Sequence, residues 1–238
     1  MTNQVPDAPT MPPETPSIFQ IWINALTKPS EKTYAEIAAS PKAKAMTAYL
    51  WVFAASIVTS LVTLLVQGET LRTQLARSGL GTERLGTGLG AVAVSLLCAT
   101  PIVAIVGTVV FAVIVALVQW IAKMFGGKGT NDQLAYAYAA ISVPYSLVSA
   151  VFILLSAIPY VGFCFRILLA LAGIYIFVLQ VMAVKGVNQF GWGPAFGSVL
   201  IPVFAVVLIC CCVVFIATSV MGLAIGNVFS SINQSLAP

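Results

Sequence analysis

Histidine is absent from this chain, and charge is scarce: 11 Lys and Arg plus 7 Asp and Glu make up 8% of 238 residues. Without imidazole there is no usual nitrogen ligand for zinc, copper or haem and no histidine general base. Most hydrolase and redox readings fall on that absence. An ordinary globular domain carries roughly 25% charged residues, so the deficit argues against a water-soluble fold. The net charge of +4 is spread along the chain with no basic patch interleaved by aromatics. Nucleic-acid binding therefore has no footprint. No cofactor is expected.

What the sequence does have is apolar length. Between charged residues lie five uncharged runs, 45–68, 85–122, 133–165, 167–184 and 186–238. A helix of about 20 apolar residues crosses a bilayer, and in lipid the backbone must satisfy its own hydrogen bonds, which favours helices. The reading is an all-α integral membrane fold: five transmembrane helices preceded by an N-terminal interfacial amphipathic helix. By apolar density the spans are about 46–67, 90–122, 134–157, 163–184 and 194–222, forming a membrane domain over 46–222. Pro101 is a place where the second could bend. Residues 223–238 read as a polar C-terminal tail.

Residues 1–16 hold five prolines and too little apolar surface to offset chain entropy, so a disordered tail is expected there. They lack the basic start, apolar core and cleavage site of a signal peptide. Residues 17–45 read as cytosolic interfacial helices. Ile18, Phe19, Trp22 and Leu26 recur at helical spacing opposite Gln20, Asn24 and Thr27. That pattern fits an in-plane membrane-interface helix or a surface helix folded on the bundle. Ser30 is placed to cap a second helix, 31–39, that turns Tyr34 and Ile37 inward; Ser40 before Pro41 reads as the cap of the first span, and Asn131 or Asp132 as the cap of the third. With the N-terminus inside, seven lysines (28, 32, 42, 44, 123, 128, 185) face four arginines (72, 77, 84, 166) outside. The excess favours N-in and C-out. Tyr49, Trp51, Trp120, Tyr136, Tyr138 and Trp192 fall at the same inner boundaries, as interface aromatics do.

The amphipathic segment ending Leu26-Thr27-Lys28-Pro29, the following Tyr34-Ala35-Glu36-Ile37 and the five spans resemble the Yip (Ypt-interacting protein) domain family, in its bacterial branch. Gly126-Gly127-Lys128-Gly129-Thr130 with Gln133, Val143-Pro144 and Ile158-Pro159-Tyr160-Val161-Gly162 add to the resemblance, which runs from about 18 to 222. It implies a five-span topology with a cytosolic N-terminus and, for bacterial members, the cytoplasmic (inner) membrane. Eukaryotic relatives are linked to prenylated GTPases, vesicle traffic and membrane curvature. A DLYGP-type motif is missing near Tyr49-Leu50-Trp51, so GTPase binding is not carried over. The resemblance brings no catalytic residues.

Several patterns invite sharper readings. Ser56, Thr59, Ser60 and Thr63 form a small, hydroxylated stripe on the first span, and Ala135, Ala139, Ser142, Ser146 and Ser149 another on the third. Such stripes allow close helix packing; a polar path for a permeant is the alternative. Gly193/Gly197 and Gly222/Gly226 are small-xxx-small pairs suited to helix packing or a partner interface. Arg166, a charge close to membrane depth, is a candidate for a lipid headgroup, or it snorkels outward. Cys210, Cys211 and Cys212 point about 100° apart on a helix and cannot converge on one metal ion, which leaves packing; Cys98 and Cys164 offer a disulfide as a remoter option. The Gly126–Gly129 turn resembles a phosphate loop but lacks Ser or Thr after its lysine and a preceding strand. It reads as a flexible connection.

The expected function is non-catalytic: a scaffold or accessory subunit of a membrane protein complex, or a part in membrane organisation. A small-solute channel or transporter is the alternative, weakened by the lack of acids or lysines at mid-depth. The partners implied are the lipid bilayer and a membrane protein or a second copy, with no nucleic acid.

Overall fold

A computed structural model describes the backbone of residues 17–77, 89–156, 158, 160–205, 207, 208, 211, 212 and 215, with side chains for all of these but 67–77 and 89–97. Helices α1 (Ile18–Thr27), α2 (Glu31–Ala38), α3 (Ala45–Arg77), α4 (Leu89–Met124), α5 (Asn131–Ser156), α6 (Gly162–Asn188) and α7 (Trp192–Ala205) account for the regular structure, and no strand occurs among the described residues. Stretches Ala45–Val66 and Cys98–Met124, with α5 and α6, are long and apolar enough to cross a membrane. α1 and α7 are shorter apolar helices at either end of the series. The described chain is thus a multi-pass, all-helical membrane fold with four membrane-length helices. The expected last span, 194–222, falls only partly within the described residues, and the tails 1–16 and 223–238 fall outside them.

α5 is the axis of the bundle. Every residue from Leu134 to Ile141 is buried, because α1, α2, α3, α4 and α6 all pack on this helix. A helix apolar on all sides suits such a position. α4 and α6 keep one side outward, where Val103, Val106, Val110, Phe163, Ile167 and Leu171 are exposed to what must be lipid. Pro101 and Pro144 lie inside α4 and α5, and neither ends its helix.

Helix ends depart from the sequence expectation in three places. Ser40 does not cap α3, which begins at Ala45: the Ser40 hydroxyl accepts the Lys42 N–H at 3.3 Å, two residues on, making a local turn instead. α5 is capped by Thr130, not by Asn131 or Asp132. The Thr130 hydroxyl accepts the Gln133 N–H at 3.3 Å while the Gln133 side chain accepts the Thr130 N–H at 3.0 Å, a reciprocal box that satisfies two otherwise orphaned donors. α3 continues to Arg77 through good helix formers such as Leu71, Arg72, Gln74 and Leu75, where a loop from 68 was expected. Of that expected loop, residues 78–88 lie outside the described residues.

Candidate membrane-interface site

Ser17 opens α1 by accepting the Gln20 N–H at 3.2 Å, and Gln20 reciprocates at 2.9 Å. At about 100° per residue the helix then divides into three arcs. Ile21 and Ala25, with Trp22 beside them, face the bundle; Ile21 and Ala25 are buried. Phe19 and Ile23 follow, exposed at 67% and 42%. Thr27, Gln20 and Asn24 form the polar arc. α1 therefore folds on the bundle with one apolar arc docked and a second left facing outward. Of the predicted interface residues, Trp22 and Leu26 pack partly against the core while Ile18 and Phe19 stay exposed.

Aromatic rings fasten the docked arc. Trp22 meets Trp51 of α3 edge-on at 5.6 Å between centroids, and Trp51 lies 5.0 Å from Tyr136 of α5. Tyr136 and Tyr138 are fully packed in the core, not the interface aromatics that the sequence suggests, whereas Trp120 and Trp192 are exposed. The last carbonyls of α1, which have no partner within the helix, are taken up in turn. Asn24 O accepts the Lys28 N–H at 3.0 Å, Ala25 O accepts the Tyr34 hydroxyl at 2.7 Å, and Leu26 O accepts the Tyr175 hydroxyl of α6 at 2.6 Å. Burial, and secondarily the neighbouring Tyr175, push the Tyr34 phenol well above its ordinary range.

α2 lies against α6 just beyond. Ser30 caps it by accepting the Thr33 N–H at 3.0 Å, and Tyr34, Ile37 and Ala38 are buried. Gly186 permits the close approach: a Cβ there would stand 2.5 Å from the Glu31 carbonyl oxygen, inside contact distance. Lys185 pairs with the Glu31 carboxylate and lies 4.2 Å over the Trp192 ring of α7, so one cation ties α2, α6 and α7 together.

The α4–α5 turn is also fastened, contrary to the expectation of a flexible connection. Gln119 of α4 donates to Gly129 O at 2.7 Å and to the Asn188 side-chain oxygen at 2.9 Å; Asn188 donates back to Gln119 at 3.2 Å and to Val184 O at 3.1 Å. Gly129 N–H donates to the same Asn188 oxygen at 3.2 Å, and Lys128 N–H donates to Asn188 O at 3.2 Å. A Cβ at Gly127 would stand 2.5 Å from that oxygen and 2.8 Å from the Ala122 carbonyl, so the turn closes onto the amide only with glycine there. Both side chains are buried. Sequence reasoning missed this pair, although Gln119, a lone amide in an apolar span, was a usable signal for its half.

A match to the Yip1 domain family model covers residues 23–215. The chain belongs to the Yip1 domain family. No curated protein and no solved structure matches it. Yip1 domain proteins are in general non-enzymatic membrane proteins. The Yip1 match opens within α1, so the docked residues Ala25 and Leu26 belong to it while Ile18, Phe19 and Trp22 precede it.

Other candidate residues within the Yip1 region are dispersed. Ser56 faces α4, where a Cβ on Gly107 would sit 3.5 Å from its hydroxyl, and Ser60 is buried. The Thr59 hydroxyl donates to Ala55 O at 3.1 Å and Ser60 to Ile57 O at 3.0 Å, so both return to their own helix; Thr63 is half-buried. Ser146 and Ser149 of α5 do the same, donating to Val143 O and Ser146 O at 2.8 Å. Gly197 meets the Phe125 ring, 3.5 Å from where a Cβ would be, whereas Gly193 faces open space. Arg166 is exposed one turn into α6, at the end of the bundle opposite the lysines. Cys98 and Cys164 are free thiols, so the disulfide option is not realised; Cys211 and Cys212 are exposed, in helical backbone beyond Ala205. Cys210, Gly222 and Gly226 lie outside the described residues.

Proposed function

We propose that this Yip1 domain protein is a non-catalytic scaffold or accessory subunit in a membrane protein complex, acting through exposed helix faces and the docked α1–α2 segment, with a part in membrane organisation. The observation that carries the reading is α1. Its carboxyl end is held by Tyr175, ten residues or about 15 Å along α6 before Lys185. That depth suits a helix lying at the headgroup and acyl boundary, and it leaves Phe19 and Ile23 outward for lipid or a neighbouring helix. Gly193, in open space beside the exposed Phe196, is the corresponding partner face on α7. Hydroxyls that return to their own carbonyls give no support to a permeation path.

The reading extends to five spans in the cytoplasmic membrane, with the lysine end and N-terminus inside and the C-terminus outside. Affinity capture from native membranes in nanodiscs, followed by mass spectrometry, tests it. A stoichiometric membrane protein lost on Gly193→Leu or Phe19→Ser substitution is the expected result. Recovery of the chain with lipid alone would contradict the accessory-subunit reading, and saturable solute flux in liposomes would replace it with transport.

A further inference from the structure

All seven lysines lie at one end of the bundle: at the α1–α2 junction, on α2, before α3, at the end of α4, in the α4–α5 turn and near the end of α6. We infer that this end is a binding surface for anionic phospholipid headgroups. Lys185 is committed to Glu31, and Lys32 sits 4.0 Å from Glu36, a solvent-exposed pair worth little. Lys28, Lys42, Lys44, Lys123 and Lys128 are exposed and make no ion pair among the described residues. The third acid at this end among the described residues, Asp132, lies in the first turn of α5, where the helix dipole already favours it. Positive charge is therefore left over, and it comes from three connections and the last turn of α4.

Exposed apolar and aromatic side chains accompany the lysines: Trp120 and Met124 flank Lys123 in the last turns of α4, Ile23 precedes Lys28 on α1, and Trp192 lies 4.2 Å under Lys185. Rings of that kind settle at headgroup level, which places the lysines among the phosphates. Flexible ammonium groups suit phosphodiesters as point charges without bidentate geometry, and clusters of this size next to spans attract anionic lipid. The surface needs no protein partner, and it stands or falls separately from the accessory-subunit reading.

The test uses the full chain in nanodiscs holding equal amounts of phosphatidylglycerol and phosphatidylcholine, where both leaflets are alike and orientation is immaterial. Lipids retained after mild detergent extraction are counted by mass spectrometry. Phosphatidylglycerol should be enriched over phosphatidylcholine, on the order of fivefold per contacted headgroup, and the enrichment should shrink from low to high salt. Changing Lys28, Lys42, Lys44, Lys123 and Lys128 to Gln together should return retention to the bulk ratio, and changing them to Arg should preserve it. Equal retention by the natural chain, or enrichment that survives the five Gln substitutions, would overturn the inference. If the Gln variant does not fold, enrichment in the natural chain that ignores salt does the same.

Discussion

At the residue scale the most consequential side chain is Asn188, which no pattern in the sequence singles out. It lies just past Lys185, in what reads as a connection, and its role depends on Gln119 and Gly129 arriving from 69 and 59 residues away. Substituting Asn188→Leu leaves the Gln119 side-chain oxygen and the Gly129 N–H buried without partners, at a cost of about 1–3 kcal/mol for each. A lower melting temperature in detergent and faster hydrogen exchange at residues 127–130 are the expected results. Adding Gln119→Leu should recover part of the loss, because both partners are then apolar. Gly186→Ala acts differently. Its new Cβ meets backbone, the Glu31 carbonyl, so α2 must lift from α6 and protease should cut residues 28–44 sooner. Arg166 was legible as a residue but not in its setting, since exposure depends on which face of α6 the bundle covers.

Elements were easier to read than their ends. Long uncharged runs locate membrane-length helices because lipid tolerates little else, and Ser30 was readable as a cap because it stands directly before a helical pattern. Ser40 misled: the same residue type serves a local turn, and nothing nearby distinguishes the two. The stripe on α1 was legible as apolar but not as two arcs, since only the docked bundle separates Ile21 and Ala25 from Phe19 and Ile23. Closure of α1 by the Tyr34 phenol makes its docking pH-dependent. Tyr34 titrates near 10 when unfolded and higher when docked, so the docked state holds its proton longer. Stability from this group is complete below about pH 10 and is lost as pH rises above it. Tyr34→Phe should weaken α1 docking at neutral pH and lessen its further loss in alkali. Hydrogen exchange of α1 across pH 8 to 11 measures both, and an alkaline loss identical in the two chains would contradict the assignment.

For the whole molecule the account is a Yip1 bundle with a lysine-rich end, a docked α1, proposed to lie in the membrane plane, and an opposite end that holds the arginines. The proposed orientation rests on that asymmetry. In a chain retaining only Cys164, which is exposed at the start of α6, an impermeant thiol reagent should label intact cells. A lone cysteine placed by Lys128→Cys should react only after permeabilisation. The reverse pattern would invert the topology. The placement of α1 is the claim on which the rest depends, and spin labels on its three arcs test it most directly. With the native cysteines replaced by alanine, nitroxides at Phe19 and Ile23 in nanodiscs should relax with oxygen, which concentrates in lipid, and those at Gln20 and Asn24 with a water-soluble nickel complex. Equal access of the nickel complex to all four positions would show α1 standing free in water, and the account would fail.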